Sequence, residues 1–134
     1  CSSSFTQVLA HEYLAGGRLE GFLSSVRPAY ARRSRIMLDA LKASFAGFAG
    51  MPEGVAWTNP RGGFYLWVTM PESIDATAVF NESFKRGAAF VVGSAFDPHG
   101  TRNNCFRLAF SNTPEEKIAE GIAIISSAIG CFLP

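Results

Sequence analysis

Asn103-Asn104-Cys105-Phe106-Arg107-Leu108-Ala109-Phe110-Ser111 is the stretch around which the chain is organised. Side chains alternate across a strand, so Phe106, Leu108 and Phe110 share one face and Cys105, Arg107 and Ala109 share the other. The first face is bulky and apolar, as a core face must be. The second places one guanidinium between two small side chains. Two readings of Arg107 are open. With room around its tip, it receives a carboxylate through two parallel hydrogen bonds. Alternatively it stands on the wet face of an antiparallel sheet, because such sheets commonly leave one face in water.

Upstream of this strand lies Ala88-Ala89-Phe90-Val91-Val92, a second apolar strand, then a loop over 93–101 that holds Phe96, Pro98 and Gly100. Before it comes a helix. Asp75 is its expected cap, Ile74 and Val79 hold the hydrophobic-staple positions, and Gly87 ends it. Ala76, Val79, Phe80, Ser83 and Phe84 form its expected buried stripe. Arg61-Gly62-Gly63 leads into Phe64-Tyr65-Leu66-Trp67-Val68, apolar or aromatic on both faces, so this strand is expected at the centre of the sheet with both faces covered. The paired glycines do not open onto a helix and so make no phosphate-binding loop. Val55-Ala56-Trp57-Thr58 reads as a short strand.

Two helices precede these strands. Ser3 or Ser4 caps the first, with Phe5, Val8, Leu9 and Tyr13 at helical spacing, and Gly16-Gly17 stops it. The second starts near Leu19 and carries a stripe of Phe22, Leu23, Val26, Tyr30, Met37, Leu41, Phe45 and Phe48. Pro28 is expected to kink or split it, lacking an N–H and crowding the carbonyl four residues back. Arg27, Arg32, Arg33 and Arg35 read either as an anion-binding patch or as a solvated helix face; the near-neutral chain favours the second. Downstream of the central stretch, Thr113 and Glu116 have capping-box spacing with Pro114 at the first helical position. Ile118, Ile122, Ile125 and Ile129 then repeat at helical spacing to Gly130.

The order helix, helix, strand, strand, helix, strand, strand, helix implies an α+β fold: a small, mainly antiparallel sheet packed with helices. The 134 residues suffice for one domain, and no internal repeat or linker divides them. With 48% hydrophobic and 17% charged residues the chain is not disordered. A net charge of +1 implies no general attraction to nucleic acid or anionic membrane. No apolar run reaches the ~18 residues of a membrane span. Cys1, Cys105 and Cys131 are odd in number and widely spaced, which suits a reducing, cytoplasmic setting, and no metal-ligand spacing is present. His11 and His99 read as surface or structural residues.

From Pro60 onward the chain resembles the C-terminal small domain of fold-type I, pyridoxal-phosphate-dependent aminotransferases, in the branch of aminoadipate, kynurenine and valine–pyruvate aminotransferases. The resemblance is carried by Pro60-Arg61-Gly62-Gly63-Phe64-Tyr65-Leu66-Trp67-Val68, by Gly87-Ala88-Ala89-Phe90-Val91-Val92-Gly93-Ser94-Ala95-Phe96, by Asn104-Cys105-Phe106-Arg107-Leu108-Ala109-Phe110-Ser111, and by the closing helix over 116–125. Leu14-Ala15-Gly16-Gly17-Arg18-Leu19 and Val26-Arg27-Pro28-Ala29-Tyr30-Ala31-Arg32-Arg33 resemble the family's interdomain helix region.

This resemblance implies that Arg107 grips the substrate's α-carboxylate and that the loop over 94–104, with Phe96, lines the site entrance. It implies a pyridoxal phosphate cofactor in the parent protein, an amino acid and a 2-oxo acid as substrates, and a homodimer. The family often carries proline where Val92 stands. The family's Schiff-base lysine lies in a Ser-rich segment upstream, whereas Lys42, Lys85 and Lys117 all fall in helical patterns. The chain therefore reads as a fragment lacking the large, cofactor-binding domain, with no catalytic or cofactor-binding residue of its own and no transamination in isolation. Two other functions stand beside this one. One is the effector part of a winged-helix, aminotransferase-like transcriptional regulator; the other is a free-standing interaction module, whose surface would be polar where the fragment's would be apolar.

Overall fold

The computed structural model describes residues 3–46 and 55–133. Along them run α1 (Ser4–Ala15), α2 (Arg18–Ala46), β1 (Ala56–Trp57), β2 (Tyr65–Thr69), α3 (Ala76–Lys85), β3 (Val91–Val92), a 3₁₀ turn (Gly93–Phe96), β4 (Cys105–Ala109) and α4 (Glu115–Gly130). This is the α+β order expected from the sequence. Phe48, placed on the α2 stripe, lies outside the described residues.

The sheet is antiparallel throughout, in the order β1-β2-β4-β3. Strands β2 and β4 are its inner pair, with Leu66 opposite Leu108, Trp67 opposite Arg107 and Val68 opposite Phe106. Because alternate residues point to opposite faces, this register puts Leu66, Val68, Phe106 and Leu108 together on one side. All four are buried. Helices α2, α3 and α4 cover that side through Met37, Leu41, Val79, Ile118, Ile122 and Ile129. At about 25 cal/mol per Å² of apolar surface removed from water, this shared layer is the main favourable contribution to the fold. Asn103 and Asn104 pin the start of β4 to the β2–α3 connection: Met70 N–H donates to Asn104 O at 2.7 Å, Ala76 N–H to Asn103 O at 2.7 Å, and Asn104 Nδ2 to Met70 O at 2.6 Å.

Four sequence expectations are corrected. β2 is central but covered on one face only; Tyr65 is 46% exposed, because all the described helices that pack on the sheet lie on the other side. α2 is not split at Pro28 but continues as one helix to Ala46. Pro28 and Ser24 are both exposed there, so the carbonyl that loses its partner is left to water. Phe84 is 62% exposed rather than buried, stacked at 5.5 Å on the half-buried Phe80. No capping box forms at α4: Pro114 is at the N-cap, no side chain caps it, and the Thr113 hydroxyl turns back to donate to Ala109 O. Asp75 by contrast caps α3 as expected, accepting from Thr77 N–H at 3.0 Å. Gly87, at φ +93°, takes the left-handed conformation that closes this helix.

α1 contributes no buried residue. Its apolar side chains point outward, with Phe5 77% exposed. No helix among the described residues is long and apolar enough to cross a membrane.

Candidate functional site

The uncovered face of the sheet carries Tyr65 and Trp67 from β2, Val91 from β3, and Cys105, Arg107 and Ala109 from β4. Arg107 stands at its middle, opposite Trp67 on one side and Val91 on the other. Its guanidinium carbon lies 4.1 Å from the centroid of the Tyr65 ring and 4.6 Å from that of Phe96. Tyr65 reaches it diagonally, since Tyr65 itself pairs with Ala109 on the same face. Arg107 Nε is buried and has no hydrogen-bond partner, and among the described residues no carboxylate pairs with the guanidinium. Arg107 is thus a cation walled by aromatic faces and unanswered by an anion.

Phe96 is brought here by the 3₁₀ turn, its ring 5.8 Å from that of Trp67 in an edge-on contact. The two sequence-selected site residues, Arg107 and Phe96, therefore meet. Beside them a pocket of about 310 Å³ is lined by Trp67, Gly93, Phe96, Asp97, Pro98 and Arg102. The loop that forms its wall is organised by Asp97. This carboxylate accepts from His99 N–H at 2.9 Å, Thr101 N–H at 2.8 Å, the Thr101 hydroxyl at 2.7 Å and Arg102 N–H at 3.0 Å. Those donors, led by His99 N–H and the Thr101 hydroxyl, hold its pKa down to about 2. Cys105, beneath the same loop, is buried, and burial pushes its thiol pKa up; it is a packing group rather than a nucleophile.

Tyr65 and Asp97 escaped the sequence reading. Tyr65 lies on a strand whose two apolar faces imply cover on both sides, a pattern that gives no signal of a site. Asp97 had a readable signal, an Asp-Pro-x-Gly turn with hydrogen-bond donors two to five residues on. The arginines of α2 behave as a helix face tied to its neighbour. Arg32 Nε donates to both Glu115 oxygens at 2.9 Å, which holds the Glu115 carboxyl below its usual range, and Arg33 donates to Ser111 O. His11 and His99 are exposed.

Aromatic-amino-acid aminotransferase 1 of Thermococcus litoralis is 39% identical over 129 residues, 96% of this chain and 30% of that protein. The crystal structure of a Pyrococcus horikoshii kynurenine aminotransferase superposes with a TM-score of 0.87 at 40% identity, over 100% of this chain and 32% of that one. Over nearly its whole length the chain is similar to the small domain of fold-type I aminotransferases. LysN, the alpha-aminoadipate aminotransferase of Thermus thermophilus, agrees at 31% identity and a TM-score of 0.79, over 94% of the small domain and 31% of its own chain. Helix-turn-helix-type transcriptional regulators also match, at 25–31% identity. No family model matches. The small domain spans about 30% of the length of the first of these relatives.

LysN was crystallised with N-(5'-phosphopyridoxyl)-L-leucine, and the family implies pyridoxal phosphate in the parent protein. None of the lysines of the small domain fits the Schiff-base role. Its three lysines all sit on helices with side chains 63–72% exposed, each paired with a carboxylate three residues away: Lys42 with Asp39, Lys85 with Glu82, Lys117 with Glu120. A cofactor-bearing lysine needs a desolvated setting that keeps it free of such a partner.

Proposed function

We propose that this small domain supplies the carboxylate-binding end of a pyridoxal-phosphate-dependent aminotransferase, with Arg107 holding the α-carboxylate of an amino acid or a 2-oxo acid. Residues 1–134 act as one domain. A large domain elsewhere in the parent brings the cofactor and its lysine, in a cytoplasmic homodimer that engages neither nucleic acid nor membrane. The observation that carries this reading is the unanswered guanidinium on the uncovered face: a planar fork, walled by two rings, with no carboxylate of its own. Held bidentately, a carboxylate is fixed in orientation as well as bound, which is what positioning a reacting carbon requires. The chemistry of the amino group belongs to the cofactor.

The large domain has a surface to pack on. A groove of about 800 Å³ runs between the first half of α2 and the 59–64 turn, lined by Phe22, Leu23, Val26, Tyr30 and Phe64 among others. With the outward apolar side chains of α1, this surface argues against a free-standing module.

The test is Arg107→Lys in the intact protein. An ammonium is a point charge and does not reproduce the fork, so kcat/KM for amino-acid transamination is expected to fall by roughly 10- to 100-fold, the cost of losing charge-assisted hydrogen bonds. Unchanged kinetics would return Arg107 to an ordinary wet face.

A second reading is favoured by the helix-turn-helix-type regulators, which match over 87–92% of the chain. Arg107 would then hold an amino-acid effector. Amino-acid-dependent DNA binding without turnover of any amino acid by the intact protein would select it.

A further inference from the structure

We infer that Tyr65 is a positioning residue that acts through Arg107: its ring, together with that of Phe96, holds the guanidinium in the orientation from which it receives a carboxylate. The inference rests on the carboxylate-holding role proposed above and extends it to a residue that touches Arg107 from the neighbouring strand.

An arginine side chain has many rotamers, and a fork that must receive a carboxylate squarely loses affinity for every rotamer it explores when empty. Protein carboxylates or carbonyls usually settle such a side chain. Arg107 has neither: among the described residues nothing accepts a hydrogen bond from any of its nitrogens. What restrains it is aromatic. Tyr65 lies at 4.1 Å and Phe96 at 4.6 Å, both within the range in which a ring face attracts a cation. Rings accept no strong hydrogen bond, so they fix the group without occupying its donors. Nε is buried among these neighbours, whereas the terminal nitrogens are not, so the fork faces outward with its two terminal nitrogens leading.

The two rings arrive by different routes. Tyr65 is set by the β2–β4 register, and Phe96 by the 3₁₀ turn, its ring seated against Trp67. Tyr65 is 46% exposed and its hydroxyl makes no hydrogen bond among the described residues, so its ring face is the working part. Phe96, selected from the sequence as a substrate contact, has the same relation to Arg107.

The experiment is calorimetric binding of 3-phenylpropionate, and of its uncharged amide, to the intact protein and to Arg107→Lys, Tyr65→Leu, Tyr65→Phe and Phe96→Leu. These probes carry no amino group and cannot react. Arg107→Lys is expected to weaken carboxylate binding by at least about 10-fold. Tyr65→Leu and Phe96→Leu are each expected to weaken it by about 5-fold, the loss of one exposed cation–π contact. Tyr65→Phe keeps the ring and should bind as the unaltered protein does. Amide binding should be unchanged in Tyr65→Leu and Tyr65→Phe. If Tyr65→Leu binds the carboxylate normally while Arg107→Lys does not, the positioning role is overturned and the clamp stands. If Tyr65→Leu weakens acid and amide alike, the ring shapes the pocket and the inference also fails. If the intact protein does not bind the carboxylate, or Arg107→Lys leaves its affinity unchanged, the clamp itself falls.

Discussion

Gly93 lies so close to Cys105 that a β-carbon at position 93 would collide with Cys105 Sγ and fall 2.7 Å from Cys105 O. No side chain fits between them. This contact seats the 3₁₀ turn on β4 and so brings Phe96 to the Arg107 side of the sheet.

Gly93→Ala is therefore expected to destabilise the fold by about 1–3 kcal/mol, the usual cost of overpacking. Urea denaturation measures it. Adding Cys105→Ala should recover only part of the loss, because the backbone oxygen at 2.7 Å remains. Full recovery in the double variant would show that the sulfur alone sets the approach.

Two N-terminal caps with similar sequence signals should behave differently. Asp75 accepts from Thr77 N–H, whereas the Thr113 hydroxyl donates to a carbonyl and caps nothing. Asp75→Ala should cost about 1 kcal/mol, typical of a lost N-cap. Thr113→Ala should cost less than half of that. Equal shifts in the two unfolding midpoints would contradict the structure.

The loop held by Asp97 should respond to acid in a particular window. Its carboxyl pKa is lowered from 3.8 to about 2. A depressed folded value means that ionised Asp97 stabilises the loop fully above about 3.8 and that this contribution is lost as pH falls towards 2. The amide resonances of His99, Thr101 and Arg102, followed by NMR from pH 5 downward, should titrate with a midpoint near the lower value. A midpoint at 3.8 would mean that the donors do not engage the carboxylate in solution. Asp97→Ala should speed hydrogen exchange at these three amides at neutral pH.

The two faces of α3 and the sheet give a packing test. Phe106 is fully buried with its ring 4.2 Å from that of Phe90, and Phe106→Ala should cost about 3–5 kcal/mol. Phe84 is largely exposed and stacks only on Phe80, so Phe84→Ala should cost about 1 kcal/mol or less. Denaturant midpoints at constant slope separate the two.

Much of the architecture was legible from one dimension. Alternation over 105–110 identified the core face of β4, the isoleucine repeat identified the buried stripe of α4, and Asp75 with Gly87 bounded α3. These signals are periodic or local, set by backbone geometry within a few residues, so the sequence by itself determined the elements and their order. It also singled out Arg107 as the odd residue on its strand. What surrounds Arg107 was decided only in three dimensions. The Trp67–Arg107 register, the approach of Tyr65 and Phe96, the uncovered face of β2 and the exposure of Phe84 all depend on which distant segments meet. The same holds for Thr113, whose spacing fits a cap but whose hydroxyl donates to Ala109 O and accepts nothing from the first turn of α4. Local pattern assigns a side chain to a face; the choice of partner across the sheet settles whether that face becomes core, water or site.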